Sequence, residues 1–180
     1  MQALLIIDMQ GFVTDRIANG MDYYPKDSID NMRTVIHAFR AAGKPVLHVR
    51  HQTLAPDSPL HSSSPHFLPV AGFAEQSDEP VLIKHTSSAF SSTDLYQRLQ
   101  RDNINEVVVI GAVAGFCVNS TIRAGSDLGL AMSVVRDAVL SFPLDGDGMD
   151  AKAIYTVTLG LLEAGFARGV QAADLTPLNL

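Results

Sequence analysis

Short runs of Val, Ile and Leu recur along this chain, and longer segments with helical periodicity separate them. Strands buried on both faces are apolar throughout, and the helices that connect parallel strands cover both faces of the sheet. The alternation therefore predicts a three-layer α/β/α fold with a Rossmann-like parallel sheet. A length of 180 residues fits a single domain spanning 1–180. The six runs interpreted as strands are 3–7, 45–50, 81–84, 106–111, 131–135 and 166–172.

Helical segments are expected between the strands, because residues that favour helix starts precede several of the periodic stretches. The stretch 52–80 differs from the rest, since it is rich in Pro and Ser and has no clear periodicity. A long irregular loop inside a compact domain usually serves a site or an interface. The four helices are expected to begin near Ser28, near Ser92 or Thr93, at Cys117 and near Met149.

Charge and cysteine content exclude several classes of protein. The chain has 13 Lys and Arg against 19 Asp and Glu, a formal net charge of −6. Binding to nucleic acid or to an anionic membrane needs a basic face, so neither partner is expected. Cys117 is the one cysteine, which rules out an internal disulfide. The first residues carry no basic segment before a short apolar run, and we expect a cytoplasmic protein.

Three chemically reactive side chains follow three of the predicted strands. Asp8 ends the first, Lys84 ends the third, and Cys117 follows the fourth. In an open parallel sheet the ligand site lies at the carboxyl ends of the strands, near the point where strand order reverses. We therefore expect a carboxylate, an ammonium group and a thiol to converge on one rim of the sheet.

These three groups fit nucleophilic catalysis. A thiol near a helix N-terminus and a lysine should have a lowered pKa, which favours the nucleophilic thiolate. The Asp8 carboxylate can take the thiol proton and deliver it to a leaving amine. The backbone amides at the helix start, that of Cys117 above all, can stabilise an oxyanion. Taken singly, a cysteine is more often a packing residue, and Asp8 or Lys84 alone could cap a turn or lie in solvent.

Three sequence blocks together resemble the isochorismatase-like cysteine hydrolases. They are 3–10 (ALLIIDMQ), 83–93 (IKHTSSAFSST) and 109–121 (VIGAVAGFCVNST), and a later VRDA at 135–138 agrees with them. The resemblance covers nearly the whole chain and implies that Asp8, Lys84 and Cys117 form a catalytic triad. It also implies six parallel strands and a cis peptide before the cysteine, at Val113-Ala114. The expected oxyanion and substrate-binding residues are Gln10, His51, Phe90, Val113 and Ala114.

No metal or other cofactor is expected. Nicotinamidases of this family bind a metal through an Asp and two His after the second strand, whereas this chain has LHVRHQ at 47–52 without an Asp-x-His pair. His48 and His51 would point to opposite faces of a strand. The segment 145–150 (DGDGMD) lacks the closing Glu of a calcium loop and is interpreted as a turn before a helix cap. No Gly-x-Gly-x-x-Gly motif follows the first strand, so nucleotide binding is not expected.

The sequence therefore predicts a cofactor-independent cysteine hydrolase that cleaves a small amide, ureido or carbamoyl-type C–N bond through a covalent thioester. Two alternatives stay open at this point. One is vinyl ether hydrolysis of the isochorismatase type, in which Asp8 acts as an acid without a nucleophilic cysteine. The other is a non-catalytic binding or assembly protein with the same fold. The expected partners are a small-molecule substrate and further copies of the chain, as a dimer or tetramer.

Overall fold

A computed structural model describes residues 1–144 and 148–180 of the chain. Its centre is one sheet of six strands in the order β3-β2-β1-β4-β5-β6, and all neighbouring strands are parallel. The strand order reverses between β1 and β4, so their carboxyl ends flank the crevice where ligands bind in such sheets. The strands are β1 (Gln2–Ile7), β2 (Val46–His51), β3 (Val81–Lys84), β4 (Glu106–Ala112), β5 (Ala131–Leu140) and β6 (Arg168–Val170).

Helices cover both faces of the sheet and form the outer layers. They are α1 (Gly11–Ala18), α2 (Ser28–Ala41), α3 (Leu95–Arg101), α4 (Asn119–Asp127) and α5 (Ala151–Gly165). Side chains of β1 alternate between two apolar cores: Leu4 and Ile6 pack with α1 and α2, whereas Leu5 and its neighbours on the other face pack with α3, α4 and α5. In the described parts of the chain, no helix has the length and apolar character to cross a membrane.

The structure confirms the predicted three-layer α/β fold and differs from the prediction in several elements. Strand β5 runs five residues further than expected, because its pairing with β4 shifts register beyond Val109 and then resumes. The exposed Arg136 interrupts the apolar pattern at that place. Helix α1 was not predicted, since it is short and buries only Phe12 and Val13. No side-chain cap marks its start.

Helix starts follow the predicted caps in part. At α3 the N-cap is Asp94, whose side chain makes no cap bond, and the Thr93 hydroxyl one residue earlier accepts a hydrogen bond from the Leu95 amide at 3.1 Å. At α2, Ser28 is the first helical residue, and its hydroxyl donates to the Pro25 carbonyl instead of capping the helix. At α5, the Asp150 carboxylate accepts from the Ala153 amide at 2.6 Å. The turn expected at 145–147 lies outside the described residues.

Gly111 brings β4 unusually close to β1. Its φ is +124°, and a Cβ at this position would lie 2.1 Å from the Ile7 carbonyl oxygen. Only glycine fits such an approach of two backbones. The peptide bond after the next residue, Ala112-Val113, is cis. The expected position of the cis bond, Val113-Ala114, was therefore wrong by one residue, because the chain turns directly after the last residue of β4.

Candidate active site

Asp8 lies at the strand-order reversal, one residue beyond β1. Its amide donates to the Val49 carbonyl of β2 at 2.9 Å, which continues the sheet pairing and fixes the residue in place. Its φ is +50°, a left-handed conformation that is uncommon for residues other than glycine. The side chain is 2% exposed. A buried carboxylate in a strained backbone conformation is typical of functional sites.

Lys84, the last residue of β3, connects the site across the sheet. Strand β2 lies between β3 and β1, and its last residue, His51, pairs in register with Lys84. The lysine side chain is fully buried. Its Nζ lies 2.8 Å from an Asp8 carboxylate oxygen and 3.1 Å from Cys117 Sγ. The same nitrogen lies 2.7 Å from His51 Nδ1 and 3.2 Å from the Thr86 carbonyl oxygen.

Cys117 lies in a π-helical turn, Ala114–Val118, that leads directly into α4. The expectation that Cys117 opens the helix was therefore wrong by three residues, because the helical turn already begins at Ala114. The Phe116 and Val118 amides both donate to the Val113 carbonyl. The assignment of the Cys117 amide to oxyanion stabilisation stays a prediction.

Burial dominates the acid–base properties of the thiol and the carboxylate. It raises the pKa of Cys117 to about 12; the negative charge of Asp8 adds to this effect, and Lys84 opposes it. Burial also raises the pKa of Asp8, although Lys84 favours the charged form. The expectation of a lowered thiol pKa was therefore wrong, because desolvation outweighs the lysine charge. The resting site holds a neutral thiol beside the Asp8–Lys84 ion pair.

His51 is a neutral hydrogen-bond donor in this arrangement. Burial and the positive charge of Lys84 lower its pKa to about 4. An ammonium group only donates, so the ring nitrogen facing Lys84, Nδ1, is the acceptor. The proton of the neutral ring is consequently on Nε2. His51 also lines the cavity described below.

Gln10 holds His51 instead of facing the cavity. Its side-chain Nε2 donates to the carbonyl oxygens of His51 at 3.1 Å and Phe67 at 2.9 Å, and its Oε1 accepts from the His51 amide at 2.8 Å. These bonds engage both hydrogens of the amide and its oxygen within the protein. Gln10 thereby connects the end of β2 to the long loop after it, and we assign it a positioning role.

A cavity of about 470 Å³ opens beside the three reactive groups. Val113 lines it, as the substrate-binding prediction requires, whereas Ala114 is fully buried in the core and Phe90 packs close to Gly125 of α4. Ala114 and Phe90 thus lie outside the wall of the cavity. The wall consists of Asp8, Phe12, Arg16, Met21, His51, Leu60, Ser87, Val113, Phe116, Cys117, Phe142, Pro143 and Leu144.

Sequence reasoning did not find several residues of this wall. Phe12 and Arg16 stand four residues apart on α1, a spacing that places both side chains on one face of a helix. This signal was available in the sequence, but the helix itself was not predicted. Phe142 follows the extended end of β5, which the predicted strand also left out.

Asp8, His51 and Cys117 each offer a metal-ligand atom, and these atoms lie within 4.8 Å of one another. The ammonium of Lys84 contacts all three side chains at 2.7–3.1 Å and thus lies among them. A divalent cation there would meet an adjacent positive charge, so the donor set does not fit a metal. The other histidine of β2, His48, contacts Glu79 instead, and its Nε2 lies 2.7 Å from a carboxylate oxygen.

Comparisons with known proteins agree with this fold. The family model described as Isochorismatase domain matches residues 2–160. A secreted isochorismatase effector of Verticillium dahliae is 29% identical, over 96% of this chain and 88% of its own. Nicotinamidase 3 of Arabidopsis thaliana is 28% identical, over 92% and 82%. The crystal structure of an isochorismatase-family protein from Chromobacterium violaceum superposes with a TM-score of 0.91 at 26% identity, covering 99% and 92%.

The six-stranded parallel sheet and these similarities place the protein among the α/β hydrolases. The chain belongs to the isochorismatase family, whose members are hydrolases.

Proposed function

We propose that the protein hydrolyses a C–N bond in a small amide, ureido or carbamoyl-type substrate through a thioester on Cys117. The observation that carries this proposal is the position of Lys84 Nζ, which contacts both the Asp8 carboxylate and Cys117 Sγ in the wall of a substrate-sized cavity. A nucleophile, a base and a fixed positive charge are the groups that acyl transfer to a thiol needs.

The first half of the reaction forms the thioester and releases the amine. Asp8 takes the thiol proton, and the sulfur of Cys117 attacks the substrate carbonyl carbon. The resulting oxyanion accepts hydrogen bonds from backbone amides in the turn that contains Cys117. When the C–N bond breaks, the protonated Asp8 gives its proton to the leaving nitrogen, so that a neutral amine or ammonia departs.

The second half restores the enzyme. Asp8 takes a proton from a water molecule as the water oxygen attacks the thioester carbonyl. When the C–S bond breaks, the Cys117 sulfur recovers the proton from Asp8, and the acid leaves the cavity. Lys84 keeps its charge throughout, so the charge that moves between carboxylate and sulfur stays beside a fixed cation.

The neutral resting thiol is compatible with this scheme. Contact with Lys84 favours the charged form of Asp8, and burial keeps the thiol neutral until a substrate can use the thiolate. The raised pKa of Asp8 makes it a better proton acceptor than an ordinary carboxylate. The relative named as a nicotinamidase supports an amide substrate.

The experiment is a screen of small amides and carbamoyl compounds for release of ammonia, with the wild type beside Cys117→Ala and Cys117→Ser. We expect turnover by the wild type, none by the alanine variant, and a substrate-derived acyl mass on Cys117 in intact-protein mass spectrometry. Substitution by alanine removes little volume, so both variants should fold, which circular dichroism checks. Full activity of the alanine variant would exclude Cys117 as the nucleophile.

Vinyl ether hydrolysis is the second candidate function, because the family model that matches the chain is named after isochorismatase. The buried Asp8, with its raised pKa, could supply the proton that this reaction needs. It ranks second because that reaction would not use the contact between Cys117 and Lys84. Release of pyruvate from a vinyl ether substrate by the Cys117→Ala variant would favour it over the amide reaction.

Location and assembly are predictions that accompany this function. We propose a cytoplasmic enzyme that forms a homo-oligomer, although one relative is a secreted protein. Cell fractionation and light scattering on the purified protein measure these two properties.

A further inference from the structure

Arg16, an exposed residue, brings a positive charge to the cavity wall. It lies in the last turn of α1, and the carbon of its guanidinium group lies 5.9 Å from the ring centre of Phe12 and 5.6 Å from that of Phe142. Within residues 1–144 and 148–180, no carboxylate oxygen lies within 4 Å of this group, and no acceptor takes a hydrogen bond from it. Its N–H donors can therefore serve a ligand.

This arrangement differs from that of most other arginines in the described chain. Six of them form an ion pair with a carboxylate, so their charges are already matched within the fold. Arg16 is also the single Lys or Arg in the described wall of the cavity. The six paired arginines are Arg33, Arg40, Arg50, Arg98, Arg101 and Arg136.

Among the described residues of the cavity wall, the charges leave a single positive excess. Asp8 and Lys84 neutralise one another, His51 is neutral and Cys117 holds its proton in the resting state. Arg16 then contributes one unit of positive charge to a cavity whose remaining walls are largely aromatic and aliphatic. A monoanionic ligand would complete this charge balance.

We propose that Arg16 binds a carboxylate of the substrate, so that the substrate class is small amides or ureido compounds carrying one carboxylate. A planar guanidinium group offers parallel N–H donors that match both oxygens of a carboxylate. Arg16 is exposed, and the Phe12 and Phe142 rings beside its guanidinium favour an orientation toward the cavity. This inference rests on the proposed amide hydrolysis for its catalytic part and on the cavity alone for its binding part.

The catalytic test uses linear ω-amido acids of two to five methylene groups and the matching methyl esters, with release of ammonia as the readout. We expect the wild type to prefer the acids over the esters by about tenfold or more in kcat/KM, as a charge-assisted contact implies. Arg16→Gln should lose this preference, because its KM should rise more for the acids than for the esters. Arg16→Lys should keep part of it. Equal preference in the wild type and Arg16→Gln would overturn the proposal.

A binding test separates failure of this inference from failure of the proposed reaction. The Cys117→Ala protein is titrated with the same ω-amido acids and esters by calorimetry, which needs no turnover. Tighter binding of an acid, lost in Cys117→Ala/Arg16→Gln, supports the Arg16 site even if no amide is ever hydrolysed. Binding that is equal for acid and ester overturns it, even if the amides are good substrates.

Arg123 provides the matched control. Its guanidinium carbon also lies over an aromatic ring, 4.1 Å from the centre of Phe166, and its Nε donates to Asn119. Arg123 is absent from the cavity wall. Arg123→Gln should therefore leave the preference for acids intact. A loss of that preference equal to the loss in Arg16→Gln would show a general charge effect and overturn the assignment to Arg16.

Discussion

Lys84 Nζ lies 2.8 Å from a carboxylate oxygen of Asp8, although Lys84 ends β3 and Asp8 follows β1, two strands that are not neighbours in the sheet. The lysine spans the end of β2 and contacts its last residue, His51, on the way. A shorter side chain at position 84 could not reach across an intervening strand. The buried ion pair therefore depends on the strand order and on the length of the lysine together.

We expect Asp8→Asn to make Cys117 more reactive while abolishing hydrolysis. The charge of Asp8 raises the pKa of the thiol, so its removal leaves the positive Lys84 to favour the thiolate. Each unit by which the pKa falls gives about tenfold more thiolate near neutral pH. Alkylation rates with iodoacetamide between pH 6 and 9 measure the change. Asp57→Asn, an exposed loop substitution, is the control. Slower alkylation in Asp8→Asn would contradict the charge arrangement.

We expect Lys84→Met to destabilise the protein by about 3–5 kcal/mol, since it leaves the buried Asp8 carboxylate without its counter-ion. The double variant Asp8→Asn/Lys84→Met should recover most of this loss, because neither buried charge remains. Urea unfolding of the two single variants and the double variant gives the coupling between the residues. Additive losses would show that the two side chains do not form an ion pair in solution.

His51 should remain neutral from pH 5 upward, with its proton on Nε2. Its pKa of about 4 reflects burial and the adjacent Lys84, whereas an ordinary histidine titrates near 6.5. Long-range ¹H–¹⁵N NMR spectra of the histidine rings distinguish the tautomers and follow the titration, and the His51→Ala variant assigns the signals. Titration of His51 near pH 6.5, or a proton on Nδ1, would exclude the donor role.

Glu79 should make stability depend on pH in the acid range. Burial raises its pKa, but bonds from Arg40, the Gln76 amide and His48 outweigh this effect and lower the pKa to about 2. A lowered carboxyl pKa stabilises the fold above the unfolded value of 4.5, and the stabilisation is lost as pH falls from there towards 2.

The Glu79→Gln variant measures this contribution. We expect a loss of about 2–3 kcal/mol at pH 7, because the contacts of Glu79 with the half-buried Arg40 and the buried His48 weaken. The loss should shrink between pH 4.5 and 2, as followed by thermal unfolding. Glu106→Gln, at an exposed position, should behave like the wild type. A loss for Glu79→Gln that stays constant with pH would exclude the ionised carboxylate as its source.

Two glycine substitutions should have opposite effects. Gly111→Ala should destabilise the protein severely, since its Cβ would lie 2.1 Å from the Ile7 carbonyl oxygen. Gly160→Ala should stabilise it by about 0.5–1 kcal/mol, because that glycine lies inside α5 with no atom within 4 Å of the added Cβ. Chemical unfolding measures both. A tolerated alanine at 111 would contradict the close approach of β4 and β1.

The sequence by itself determined the layered fold and the three reactive groups. Apolar runs define buried strands locally, and the carboxyl ends of parallel strands share one edge, so the pattern of residues alone predicts that Asp8, Lys84 and Cys117 lie together. The sequence pattern did not predict helix α1, because eight residues with two buried side chains show too weak a helical periodicity. Without this helix, Arg16 could not be identified as a residue of the cavity wall.

Only the tertiary structure decided how those groups behave. Desolvation depends on every atom around a side chain, and it reversed the expected direction of the Cys117 pKa. Hydrogen bonds between residues distant in the chain made Gln10 a support for His51 instead of a substrate ligand. Local patterns specify which residues lie at the rim of the sheet, whereas burial and long-range contacts determine their charges and partners, because both are properties of the packed molecule.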